Sequence, residues 1–168
     1  MAIPSVDDYT INDDALTIIT MLERVLATVI SVYDEKGVPL PSRQYWTMGR
    51  APEDCAQVTV SLIQVYLGTP GDQASTPQHC NQVRTAVLNV AVTRDFPVGE
   101  NGKAVGVDRI MEASKWGAID SMVLSSSLND FDMWEDGYQG LGVIATIATN
   151  DPQGGVQTTN MNLSMAIG

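Results

Sequence analysis

The side chains best suited to chemistry in this chain are few and badly spaced for it. The only histidine, His79, sits beside Cys80, and the second cysteine is Cys55. Three such ligands without a CxxC or HxxxH pair make no zinc grid. Adjacent side chains rarely face each other, so His79 is poorly placed to activate Cys80, and no serine lies in a GxSxG elbow. Gly99-Glu-Asn-Gly-Lys103 follows a strand-like run and precedes a helical one, which is the layout of a phosphate loop. Its spacing is wrong. Only Glu100 and Asn101 separate the glycines, and Ala104 stands where the magnesium-binding hydroxyl belongs. Carboxylates cluster at Asp7-Asp8, Asp13-Asp14 and Asp130, Asp132, Glu135 and Asp136, but Met133-Trp134 interrupts any calcium-loop pattern. These residues predict a protein that is not an enzyme and has no catalytic, metal or cofactor site. The clusters read as solvated charge, and the two cysteines as buried or half-buried free thiols.

The totals set the class. The 168 residues are 44% hydrophobic and 17% charged, which suits one globular domain over 1–168 with a core of its own. A net charge of −11 argues against binding nucleic acid by neutralising phosphates. No apolar run reaches the length of a membrane span, and the acidic MAIPSVDDYTINDD reads as neither signal nor transit peptide. The expected setting is the cytosol or something assembled there.

Elements follow from periodicity. Residues 1–12 read as an extended arm, with Asn12, Asp13 and Asp14 capping a helix over 15–34. Its stripe is Leu16, Ile19, Leu22, Leu26, Val29 and Tyr33, broadened by Ile18, Val25 and Ile30. Glu35-Lys36-Gly37 and Pro39 end it. A loop around one short strand near 43–48 comes next. A half-buried strand then points Ala56, Val58, Val60 and Leu62 inward and Gln57, Thr59 and Ser61 outward. The apolar parity shifts at Ile63, Val65 and Leu67, which suggests a bulge or a covered edge. A long polar loop over 69–81 leads to an antiparallel partner strand with Ala86, Leu88, Val90 and Val92 inward. A second helix over 107–131 carries a stripe of Val107, Ile110, Met111, Ser114, Ala118, Met122 and Leu128. Gly117 and Ser125-Ser126-Ser127 are expected to loosen its last turns. An acidic, aromatic loop from Asn129 to Gly140 and a closing hairpin through Asn150–Gly155 complete the chain. The sum is an α+β fold, with a mostly antiparallel sheet of four to five strands and two long helices on one face.

Without a reaction centre, contact surfaces are the functional features left. Trp134 and Tyr138 read as apolar anchors in the acidic loop, and Tyr66, Asn160 and Asn162 as part of a neutral edge suited to another chain.

Along nearly its full length the chain resembles a tail terminator (tail-completion) protein of long-tailed siphovirus phages infecting actinobacteria. The resemblance rests on the 15–34 helix, Cys55-Ala-Gln57, Gln64-Val-Tyr66-Leu-Gly68, Pro70-Gly71, Cys80 and Arg84-Thr-Ala86 through Thr93-Arg94. It continues in Val107-Asp-Arg109-Ile110, Trp116-Gly117, Leu141-Gly142-Val143 and Gly154-Gly155-Val156. It implies a homo-hexameric ring in the virion neck that caps the head-proximal end of the tail tube and stops its growth. The implied partners are a second copy of the chain, the major tail tube protein and the head–tail stopper or connector protein, with DNA passing through unbound. The arm and the 69–81 loop would then reach tube or connector, the closing hairpin and the Tyr45–Leu67 strands would join subunits, and Asp130, Asp132, Glu135 and Asp136 would charge the channel or rim. The alternatives are a stopper or another neck protein, and a tail-tube subunit.

Overall fold

A computed structural model describes residues 11–52, 55–67, 84–95, 106–132, 143–149 and 156–166. The chain runs α1 (Ile11–Glu35), β1 (Gln44–Met48), β2 (Gln57–Leu67), β3 (Arg84–Asp95), α2 (Gly106–Asp132), β4 (Val143–Thr149) and β5 (Val156–Ala166). The strands form one five-stranded sheet in the order β1-β2-β3-β5-β4. All neighbours are antiparallel except β1 and β2, so the fold is α+β as its composition of elements predicted.

Parity decides which side each residue faces. On β3, Ala86, Leu88, Val90 and Val92 are buried, and the register sets them beside Val58 and Val60 on one flank and Met161, Leu163 and Met165 on the other. Against this strip lie Ile18, Met21, Leu22, Val25, Val29, Val32 and Tyr33 of α1 and Val123 and Leu124 of α2. Both helices therefore share one face of the sheet. The register of β2 against β3 slips between Leu62 and Gln64, which is the bulge that the change of apolar parity predicted.

Several expectations are corrected. Helix α1 begins at Ile11, so Ile11 and Asn12 are helical rather than part of an arm, and Asp13 and Asp14 lie in its first turns. The buried stripe of α1 includes Met21 and Val32, while Ile19, Leu26 and Ile30 are only half-buried. The other end is as expected. Gly37 adopts φ 68°, Val38 N–H donates to Tyr33 O at 3.0 Å, and Gly37 N–H donates to Asp34 O at 3.0 Å, the paired bonds of a Schellman stop.

The larger correction concerns α2. Met111 and Met122, which the apolar periodicity turned inward, are 52% and 64% exposed, and Ser114 and Ala118 are exposed too. The buried side is Ala113, Gly117, Asp120, Val123, Leu124 and Ser127. That side is small and polar because it docks on polar positions of the sheet. Gln157 Nε2 donates to Ala113 O at 2.9 Å, and Thr149 Oγ1 to Gly117 O at 3.4 Å. A Cβ at residue 117 would come within 2.8 Å of both Gln157 Nε2 and Thr149 Cγ2, so glycine is what admits this approach. The serine run does not end the helix. Ser126 Oγ donates to Met122 O and Ser127 Oγ to Leu124 O, and α2 continues to Asp132. Asp130 and Asp132 consequently belong to the helix and not to a loop.

Candidate interaction surface

The side chains that hold the helices to the sheet form a polar clamp beside the core. Arg94 ends the inward-facing parity of β3 and meets Asp120 of α2 in a bidentate pair, Nε to Oδ2 at 2.8 Å and Nη2 to Oδ1 at 2.7 Å. Tyr33 of α1 donates its hydroxyl to Asp120 Oδ1 at 2.9 Å. Arg94 Nη1 donates to Pro39 O at 3.0 Å, and its guanidinium stacks 4.2 Å from the centre of the Trp116 ring. The Asp120 side chain is 3% exposed and that of Arg94 16%, so this pair is largely buried and held by four hydrogen bonds. Burial first, then the negative charge and hydrogen bond of Asp120, raise the pKa of the Tyr33 phenol well above its ordinary value. One carboxylate, one guanidinium and one phenol tie β3, α1, α2 and the turn after α1 together, which is a structural task.

Apart from Asp95, exposed at the end of β3, the face of the sheet away from the helices is uncharged. By register it carries Tyr45 and Thr47; Gln57, Thr59, Ser61, Gln64 and Tyr66; Thr85, Val87, Asn89, Ala91 and Thr93; Thr158, Asn160, Asn162 and Ser164; and Thr146 and Ala148. Cross-strand bonds knit it. Thr93 and Thr158 share a hydroxyl contact of 3.2 Å, and Asn89 Nδ2 donates to Asn162 Oδ1 at 2.9 Å. The expectation of a half-buried β2 fails here, because Gln57, Thr59 and Ser61 are buried along with Val58 and Val60. Part of the reason is the short crossover between the parallel β1 and β2, which sets Pro52 and Cys55 beside Gln57. Gln57 Nε2 donates to Pro52 O, while Tyr45 Oη at 3.3 Å and Cys55 Sγ at 3.5 Å both donate to Gln57 Oε1. Cys55 is a free, half-buried thiol, as its setting predicted. Towards β4 the same face opens, with Asn162, Thr146 and Ala148 exposed and Asn89 and Asn160 half-buried.

Two polar atoms on this face are orphaned. Among the described residues, Ser61 Oγ and Asn160 Oδ1 are buried without a hydrogen-bond partner. For Asn160 the register gives the cause, since its cross-strand neighbours are Ala91 and Ala148, which have no side-chain donor.

The structure unites some predicted contact residues and separates others. Tyr66, Asn160 and Asn162 do share the face away from the helices, Tyr66 in the row of Thr85, and the asparagines nearer the β4 side. Asp130 is exposed in the last turn of α2, and Asp132 ends that helix. Trp134, Glu135, Asp136 and Tyr138 lie outside the described residues, as do His79, Cys80, the 69–81 loop and the first ten residues. Among the described residues no three of His, Cys, Asp and Glu gather as metal ligands, and no helix is long and apolar enough to cross a membrane. The clamp itself escaped the sequence reading, although one signal was present: Arg94 continues the even parity of Ala86 to Val92 and so had to point inward.

No family model matches this chain, and no curated protein is significantly similar to it.

Proposed function

We propose that the chain is a structural virion protein that assembles as a hexameric ring at the head-proximal end of a phage tail tube, ends tube polymerisation and offers the joining surface for the head connector. The observation that carries this reading is the sheet itself. Its two outermost strands hold no charge, in a chain of net charge −11. Exposed edge strands ordinarily use charge, proline or bulges to stay apart from other chains. Uncharged, hydrogen-bonding edges, with Thr146, Ala148 and Asn162 exposed beside β4, are suited to meeting more protein. The full-length resemblance to tail terminators supplies the kind of assembly. The acidic total fits a ring through which DNA passes by repulsion rather than binding. Asp130 and Asp132 at the end of α2 supply charge for the rim or channel. They oppose the negative end of the helix dipole, and α2 has no basic residue in its last turn to offset them.

Electron microscopy of phage particles carrying a label on this chain tests the reading. One ring of label at the tube end, on the tube side of the joint with the head, is the expected result. Label on the connector side makes the chain a stopper, label along the tube makes it a tube subunit, and unlabelled particles end the proposal.

A further inference from the structure

Among the described residues both outermost strands of the sheet lack edge protection, and they lack it in a complementary way. Strand β4, Val-Ile-Ala-Thr-Ile-Ala-Thr, has seven residues with no charge, proline or glycine. Strand β1, Gln-Tyr-Trp-Thr-Met, has five with none of these either. Each pairs on one side only, β4 with β5 and β1 with β2, so each leaves one row of backbone donors and acceptors unused within the described sheet. Natural edge strands are commonly protected by lysine, proline, bulges or an inward charge, and β4 has none of them. Its side chains at Thr146, Ala148 and Thr149 are exposed, as are Gln44 and Met48 on β1.

The directions of the strands add a constraint. With β1 and β2 taken as running up, β3 runs down, β5 up and β4 down. The two edges of one sheet are therefore antiparallel to each other. When copies are related by rotation about an axis along the strands, β4 of one meets β1 of the next antiparallel, with both helical layers on the same side. That single operation uses both edges, makes a head-to-tail interface and can close into a ring. A two-fold contact of β4 with β4 would leave β1 open. The β1 side also carries apolar surface to cover. β2 runs past the end of β1, and there Ile63 and Val65 are exposed beside Met48. The longer β4 can reach beyond Met48 onto this stretch.

We infer that the outer edge of β4 in one copy pairs antiparallel with the outer edge of β1 in a second copy, so that one sheet continues from subunit to subunit. This rests on the ring reading and names the strands that would build the ring.

Sedimentation velocity and native mass spectrometry of the full chain, up to about 1 mM, give the test, since even a weak contact of that dissociation constant is then half-populated. Two edge variants are needed: Thr146→Lys/Ala148→Lys on β4 and Thr47→Lys/Met48→Lys on β1. Met48, Thr146 and Ala148 are exposed, Thr47 is half-buried, and all four are outside the clamp, so melting temperatures should hold. The wild-type chain is expected to self-associate with concentration, and each variant alone to do so about tenfold more weakly or worse. An equimolar mixture should form dimers and nothing larger, because each variant keeps the edge that the other lacks. Dimers of the β1 variant alone would show β4–β4 pairing and overturn the inference. So would a wild-type chain that stays monomeric at the highest concentration. Rings that persist in both variants would overturn the edge pairing yet leave the ring standing, whereas label absent from the tube end in particles removes the ring reading by a separate route.

Discussion

Replacing Asp120 by alanine probes how the helices are fixed to the sheet. The carboxylate accepts three hydrogen bonds, from Arg94 Nε, Arg94 Nη2 and the Tyr33 hydroxyl. Its removal leaves an arginine whose side chain is only 16% exposed, with Pro39 O and the Trp116 ring as its remaining partners. Breaking a buried pair by taking one member costs about 3–5 kcal/mol, because the other charge stays desolvated without compensation. That is a large share of the 5–15 kcal/mol, roughly, that holds a domain together. With a urea m-value of about 2 kcal/mol per M, a loss of about 4 kcal/mol moves the unfolding midpoint down by about 2 M. The paired replacement Arg94→Met/Asp120→Leu removes both charges and refills the space with apolar atoms. It should return to within about 1–2 kcal/mol of the wild type, or exceed it. Urea unfolding of the wild type, both single variants and the pair completes the cycle. A loss below about 1 kcal/mol for Asp120→Ala, or a double variant that loses the sum of the two singles, would refute the account of the clamp as a buried, interdependent unit.

Three further outcomes follow from the same contacts. Gly117→Ala, ordinarily worth up to about 1 kcal/mol of added helix stability, should here destabilise by about 1–3 kcal/mol, because the new methyl meets Thr149 Cγ2 and Gln157 Nε2 at 2.8 Å; thermal unfolding reads the sign. Met122→Lys should leave stability within about 0.5 kcal/mol while Leu124→Ala loses about 2–5, since Met122 is on the outer side of α2 and Leu124 is fully buried; comparable losses would mean the helix is turned the other way. Tyr33 binds its proton more tightly folded than unfolded. Its contribution is therefore complete below a pH of about 10 and declines above it by up to about 1.4 kcal/mol per pH unit. The decline should be shallower in Tyr33→Phe, as measured by urea midpoints between pH 9 and 11.

The sheet was legible in the sequence because a strand reports its faces in every second residue. Ala86, Leu88, Val90 and Val92, and likewise Met161, Leu163 and Met165, alternate so regularly that only one side could be buried, and the break at Ile63 marked the bulge. α1 was legible for the same reason at a different period. α2 was not, because its buried face is built from Ala113, Gly117 and Asp120, residues that a hydrophobic pattern treats as surface. Burial of Asp120 depends on Arg94, which is 26 residues earlier and on another element, and no local window contains both. The parallel β1–β2 pair was hidden similarly, since strand order depends on long-range register rather than on composition. The neutrality of Asn160 and Asn162 was visible, but not that an alanine on each side leaves the Asn160 carbonyl oxygen alone.

The same contrast bears on how an assembling subunit can be both rigid and adhesive. The centre of the sheet is fixed twice, by the apolar strip under α1 and by the Arg94–Asp120–Tyr33 clamp, and the bonds of Thr149 and Gln157 hold α2 against β4 and β5. β4 is thus anchored from within the subunit while its outer row of backbone groups stays unused within the described sheet. An edge that must order itself on contact loses part of its binding energy to conformational entropy, whereas a pre-formed edge does not. Loosening the anchor should then weaken association without touching the edge. Gly117→Ala acts where α2 meets Thr149, and it should lower self-association even at temperatures where the chain remains folded, in contrast to Leu124→Ala, whose effect should track global stability alone. Equal association for the two variants at matched fractions folded would show that the helix contact and the edge are independent.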